Sequence, residues 1–136
     1  MDQVKYPAPM LESEHGPKHK WITPLNAEGW TDPVFSFWEM TAEYWTDRHF
    51  HAEWNYVVEG QLFIEVDGIK VELNAGDVGC VPAGRVGHYS APKYAKMFAV
   101  YGPNPNGTKP TDMTYKKLSD GDSSPPKAWS LKTPGL

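Results

Sequence analysis

Short apolar segments separated by glycine and proline turns run through the middle of this sequence and limit the length of any helix. The chain has 136 residues, of which 13 are proline and 12 are glycine. No stretch longer than about ten residues shows helical spacing. The segment VFSFWEM (34–40) alternates, and QLFIEVDGIKVELNAGD reads as two strands joined at Asp67-Gly68, a strong hairpin signal. The pattern predicts an all-β domain, either a sandwich or a small barrel.

The two ends of the chain differ from this central part, and the length allows one ordinary domain. We predict an irregular N-terminal arm over residues 1–33, a β-barrel over 34–118, and a proline-rich C-terminal tail over 119–136. Residues 113–121 are predicted to hold one short helical turn. The tryptophans of the arms are costly to leave exposed, so we expect a homodimer in which the N-terminal arm crosses to the neighbouring subunit.

Composition excludes several classes of partner. A net charge of −4 and a pI near 5.7 provide no basic surface for nucleic acid or an anionic membrane. There is neither a run of 18 apolar residues nor a positively charged, then apolar, N-terminus, so we expect no membrane span and no secretory signal. Cys80 is the one cysteine and cannot form an internal disulfide, which fits a cytoplasmic protein.

The stretch RHFHAEWNYVVEGQL (48–62) is the main candidate for chemistry. Side chains two residues apart share a face of a strand, so a straight strand would align Asp47, His49, His51 and Glu53. Imidazole nitrogens and carboxylate oxygens suit Fe(II), Mn(II), Zn(II), Ni(II) or Cu(II). The alternative is a solvated polar strand end without a function. A β-sandwich can also bring His88 across to this face.

These segments resemble the two signature motifs of the cupins, which are small β-barrels. The first motif has His-x-His, then a glutamate, then a glycine seven residues later, a spacing that Glu53 and Gly60 reproduce. Gly76 followed by Pro82-Ala-Gly84 is similar to the second motif. The resemblance covers about residues 34–103 and implies a single-domain cupin-type β-barrel (a double-stranded β-helix, or jelly roll).

The resemblance leaves two alignments open around the first motif. If Glu53 is the family glutamate, His49 takes the place of the second histidine, Asp47 that of the first, and His51 lies in the turn. Alternatively, His49 and His51 form the His-x-His pair, with Asn55 near the glutamate position. The spacing to the glycine favours the first alignment, which we call glycine-anchored.

His88 lies one residue later than the family pattern after Pro82-Ala-Gly84, with Gly87 in the expected position. We predict that His88 is nevertheless a ligand, because a turn absorbs a one-residue insertion easily. The predicted metal ligands are His49, His51, Glu53 and His88, with Asp47 as an alternative. They are expected to hold one divalent transition metal, for which Fe(II) is the first candidate and Mn, Zn, Ni and Cu are the others. The predicted substrate pocket contains Asn55, Tyr56, Arg85 and Tyr89.

Cupins include dioxygenases, decarboxylases, isomerases, epimerases, lyases and non-enzymatic binders, so the resemblance does not settle the reaction. We expect a metal-dependent enzyme acting on a small organic substrate inside the barrel, and among reactions a dioxygenase. The alternatives are a metal-dependent lyase, decarboxylase or isomerase, and a non-catalytic cupin that binds a small ligand. A metal-free epimerase is disfavoured, because the acidic composition provides few basic residues for a diphosphate.

Overall fold

A computed structural model describes residues 4–118, which form nine strands and, within that range, no helix. The strands are β1 (Lys18–Trp21), β2 (Val34–Met40), β3 (Glu43–Arg48), β4 (Glu53–Val66), β5 (Ile69–Asn74), β6 (Val78–Val81), β7 (Val86–Ala91), β8 (Ala95–Tyr101) and β9 (Thr111–Lys117). The all-β barrel that the alternating segments predict is confirmed.

The strands pair in one curled antiparallel sheet. Its order is β1-β2-β8-β4-β7-β3-β9, with β5 and β6 also pairing with β4. The first half of β4 pairs with β6 and β8, and the second half pairs with β5 and β7. The register of β4 against β8 shifts between Val57 and Glu59, and such a bulge bends a strand. One 14-residue strand therefore serves both halves of the barrel.

The core fills the space between the two halves. In β2 and β8, buried and half-buried residues alternate along the whole strand, as expected for strands with one inward face. The inward side chains include Met40, Val57, Leu62 and Met97, each of which is fully buried. Burying a side chain of this size contributes about 1.5–3 kcal/mol, so these contacts are the main source of stability.

One turn explains the hairpin signal, and one close contact between two backbones explains a glycine of the first motif. Asp67 and Gly68 both have positive φ, 52° and 80°, which is the conformation of a type I′ turn, and they join β4 to β5 as predicted. Gly60 has φ 79°, and a Cβ there would lie 2.1 Å from the carbonyl oxygen of Tyr94. Only glycine fits this close approach of two backbones, which explains why a glycine stands seven residues after Glu53.

The ends of the chain depart from the predictions. Residues 18–21, within the predicted irregular arm, form β1 and pair with β2, and Trp30 exchanges backbone hydrogen bonds with Asn104. Residues 18–21 and Trp30 therefore pack on the barrel of their own chain. The predicted helical turn near residue 113 is wrong, because residues 111–117 form β9 and pair with β3. The predicted tail over 119–136 lies outside the described residues.

Candidate metal centre

Three side chains meet where β3 ends and β4 begins. Asp47 is the penultimate residue of β3, His49 lies in the connecting loop, and Glu53 is the first residue of β4. His49 Nε2 is 2.9 Å from Asp47 Oδ2 and 3.3 Å from Glu53 Oε1. One ligand atom from each residue lies within 4.8 Å of the other two, close enough for all three to hold one metal ion. These residues, here called the Asp–His–Glu cluster, are the set of the glycine-anchored alignment.

Burial and mutual charge shift the pKa values of two members of the cluster, Glu53 and His49. Asp47 is 7% exposed and Glu53 is 3% exposed. Burial raises the pKa of Glu53, and the Asp47 carboxylate raises it further, to about 7, against the opposing effect of His49. Burial alone would lower the pKa of His49, but the Asp47 and Glu53 carboxylates outweigh it and raise that pKa to about 9. Two buried carboxylates around one imidazole form a site that attracts a cation.

Glu53 is held by a buried hydrogen-bonded network. Asn55 Nδ2 donates to Glu53 Oε2 at 2.8 Å, and the Tyr89 hydroxyl donates to the same oxygen at 3.1 Å. Trp38 Nε1 donates in turn to Asn55 Oδ1 at 2.7 Å. Burial and the Glu53 charge raise the pKa of Tyr89 well above its usual range, which keeps its hydroxyl protonated. The network fixes one carboxylate oxygen and leaves the other facing His49.

Asp47 has its own support from the same strand. Trp45 Nε1 donates to Asp47 Oδ2 at 2.9 Å. No role for Trp45 was predicted from the sequence, although the spacing of two residues places both side chains on one face of β3. The aromatic ring of Tyr101 packs beside the cluster, with its centroid 5.8 Å from that of His49. Such partners orient metal-ligating side chains in many proteins.

The two other predicted histidine ligands lie outside the cluster. The ring of His51 is 4.7 Å from that of His49, and its Nδ1 donates a hydrogen bond to the Ala52 carbonyl at 3.0 Å. His88 is fully buried on β7, opposite Thr46. Because the adjacent Tyr89 points inward to Glu53, strand alternation directs His88 to the other face of the sheet. The one-residue displacement seen in the sequence thus changes the face rather than being absorbed by the turn.

The four predicted pocket residues also take other positions. Asn55 and Tyr89 lie behind Glu53 in its buried network. Tyr56 is 44% exposed and alternates with the inward Asn55 on β4. Arg85 is paired with Asp67 at 2.6 Å, next to the β4–β5 turn. None of the four lines the cavity over the cluster.

A cavity of about 720 Å³ lies over the Asp–His–Glu cluster. Its barrel wall is aromatic, and its other wall is the N-terminal segment, which sequence analysis assigned to an irregular arm. The aromatic residues of the barrel wall are Trp38, Trp45 and Tyr101, and residues 12–25 of the segment, which include Trp21, contribute most of the remaining lining. No local signal marked this segment, because its place over the barrel depends on contacts with residues distant in sequence.

A family profile described as "Cupin domain" matches residues 36–101, which include the whole Asp–His–Glu cluster. The chain belongs to the cupin superfamily. No curated protein matches this cupin by sequence. In residues 4–118, no helix exists that is long and apolar enough to cross a membrane.

Solved structures similar to this cupin share its fold at low sequence identity. A Photorhabdus luminescens protein is 12% identical with a TM-score of 0.61, covering 75% of this chain and 88% of its own. KdgF from Halomonas is 20% identical with a TM-score of 0.56, covering 70% and 86%. A cupin superfamily protein of Desulfitobacterium hafniense is 15% identical with a TM-score of 0.58, covering 70% and 84%. At these identities the similarity establishes the fold alone.

Proposed function

We propose that this cupin is a metal-dependent enzyme that acts on a small organic substrate in the cavity. The observation that carries the proposal is the Asp–His–Glu cluster, whose three ligand atoms converge within 4.8 Å at the cavity wall. A solvated polar strand end would leave its carboxylates in water, whereas Asp47 and Glu53 are buried. Burying two carboxylates is costly unless a cation or hydrogen bonds compensate them.

Asp47, His49 and Glu53 fit a divalent transition metal, because they provide two carboxylate oxygens and one imidazole nitrogen. When bound there, such a metal supplies Lewis acidity toward the oxygen atoms of a substrate. Asn55 and Trp45 orient the two carboxylates through the hydrogen bonds described above. The aromatic wall binds the apolar part of the substrate and excludes water from the cluster.

For the reaction, we propose a dioxygenase that uses Fe(II), since mixed nitrogen and oxygen ligands with open positions suit oxygen chemistry. A lyase or isomerase is the second candidate. It is supported by the ratio of two carboxylates to one imidazole, because oxygen-rich ligand sets also suit Mn(II).

Metal content of purified and reconstituted protein tests the site. Asp47→Asn and Glu53→Gln keep the side-chain shape but remove a ligand charge, so each variant should lose at least about tenfold in metal affinity. Glu59→Gln is the matched control, because Glu59 is exposed on the same strand. Less than about 0.2 metal per wild-type chain after reconstitution with Fe(II), Mn(II) and Zn(II) would refute the proposal.

Oxygen uptake separates the two reactions. The Fe(II)-loaded protein is incubated with a panel of small aromatic acids and diols under air, and dissolved oxygen and products are followed together. Uptake that requires Glu53 supports the dioxygenase. Product formation without oxygen uptake supports the lyase or isomerase, and substrate binding without any product supports a non-catalytic binder.

A further inference from the structure

Residues 12–21, here called the N-terminal hairpin, form a closed turn over the cavity. Glu12 and His19 exchange two backbone hydrogen bonds, of 3.2 and 2.8 Å. At the tip, Ser13 Oγ donates to the Gly16 carbonyl at 2.6 Å. The second arm of the hairpin is β1, which is hydrogen-bonded to β2 of the barrel. The hairpin is therefore anchored at its base and closed at its tip.

At the tip of the hairpin, Gly16 rests against the aromatic side chain of Trp45. A Cβ at Gly16 would lie 2.6 Å from Cζ3 and 2.9 Å from Cε3 of Trp45. The backbone of Gly16 thus sits directly against the six-membered ring of that tryptophan. The need for glycine here comes from this contact, because a side chain of any size would have to displace the ring.

The same tryptophan reaches the Asp–His–Glu cluster with its other end. Its Nε1 donates to Asp47 Oδ2, the oxygen that also lies 2.9 Å from His49 Nε2. An indole is rigid, so a shift of its six-membered ring also moves its N–H. Gly16, Trp45 and Asp47 form a continuous line of contacts from the hairpin to the proposed metal ligands.

The hairpin also supplies charged groups to the cavity. The indole N–H groups of Trp38 and Trp45 already donate to Asn55 and Asp47, so these residues present mainly ring surface. Outside the cluster, the titratable lining residues other than Tyr101 all come from the hairpin: Glu12, Glu14, His15, His19 and Lys20. Polar groups of a substrate that do not face the cluster would therefore meet hairpin side chains.

We propose that Gly16, at the tip of the N-terminal hairpin, positions Trp45 so that Trp45 holds Asp47. The metal part of this inference rests on the proposed function. Gly16 is a positioning residue, because it acts on Asp47 through the tryptophan.

Mn(II) titration of Gly16→Ala tests the positioning. The added Cβ displaces the Trp45 ring, so Mn(II) affinity should fall about tenfold, the lower end of what loss of an orienting partner costs. Gly102→Ala is the matched control, since its Cβ would meet no atom closer than 3.7 Å, and it should bind Mn(II) as the wild type does. Ser13→Ala removes the tip hydrogen bond without a clash and should weaken binding in the same direction, about twofold to threefold.

A double-mutant cycle tests whether Gly16 affects Mn(II) affinity through Trp45. Trp45→Phe lacks both the contacted ring atoms and the indole N–H, so Gly16→Ala should have little further effect on Mn(II) affinity in that background. Equal effects of Gly16→Ala in both backgrounds would overturn the proposal. Near-UV circular dichroism gives a readout without metal: Gly16→Ala should change the tryptophan signal in the wild-type background and not in Trp45→Phe. A wild type that binds no Mn(II), Fe(II) or Zn(II) refutes the proposed function, whereas an unchanged tryptophan signal refutes the positioning by Gly16.

Discussion

Gly60 and Gly76 both have positive φ, 79° and 96°, but they differ in the space that a side chain would have. A Cβ at position 60 would collide with the carbonyl of Tyr94, whereas nothing lies within 4 Å of a Cβ at position 76. The two glycines therefore separate the cost of a left-handed backbone from the cost of a steric clash. Both were part of the spacing that indicated the family, and only one is required by packing.

Gly60→Ala should destabilise the protein by about 3 kcal/mol or more, because a backbone carbonyl cannot rotate away as a flexible side chain does. Gly76→Ala should cost only the backbone strain, about 1–2 kcal/mol. The free energy of unfolding of both variants is measured by urea denaturation. Equal losses in the two variants would show that the β4 backbone relaxes around the added methyl group.

The β3–β4 connection carries the whole candidate site within seven residues, from Asp47 to Glu53. Asp47 belongs to a strand paired with β7 and β9, and Glu53 to a strand paired with β6 and β8 at that point. A ligand that binds all three side chains would therefore connect the two halves of the barrel. Metal binding and the stability of this element should be linked.

Addition of Mn(II) or Zn(II) at 100 times its Kd should raise the free energy of unfolding by about 2.7 kcal/mol. For a chain of this size that corresponds to an increase in Tm on the order of 10 °C, measured by differential scanning calorimetry. EDTA should reverse the shift, and Glu53→Gln should abolish it while Glu59→Gln retains it. A shift that persists in Glu53→Gln would place the metal at other residues.

The whole molecule exposes an apolar face on the outside of the β2–β8–β4–β6 half. Tyr56 is flanked by Phe98 and Val78 on the neighbouring strands, and Trp54 by Val100 and Cys80. Trp54 remains 49% exposed and Tyr56 44% exposed. Large contiguous apolar patches on a protein surface are typical of interaction sites. We propose this face as the homodimer interface, and the exchange of the N-terminal arm stays a prediction.

We expect the protein to be a homodimer at micromolar concentration, with Trp54→Glu and Tyr56→Glu each producing monomers, because a buried unpaired carboxylate is costly. Ile69→Glu is the control: Ile69 is 70% exposed at the start of β5, away from this face. Light scattering gives the mass of each variant. A wild-type mass of one chain would rule the dimer out, and a dimer that survives both substitutions would move the interface elsewhere.

The sequence by itself determined the features that depend on near neighbours. Alternation in VFSFWEM predicted the strand that became β2, and Asp67-Gly68 predicted the β4–β5 hairpin, because turn chemistry acts over two residues. The seven-residue spacing from Glu53 to Gly60 selected the alignment whose residues the structure brings together. Both residues lie on β4, so the spacing can be read from the sequence, whereas the need for glycine at position 60 comes from the contact with Tyr94.

Only the tertiary structure decided the features that depend on register and on distant contacts. A shift of one residue turns a side chain to the other face of a sheet, and this separates His88 from the cluster although it follows the second motif. Pairing with β3 made residues 111–117 a strand against their weak local signal. The N-terminal hairpin reaches Trp45 across about thirty residues of chain, and no local pattern encodes a contact that exists only once the barrel has formed.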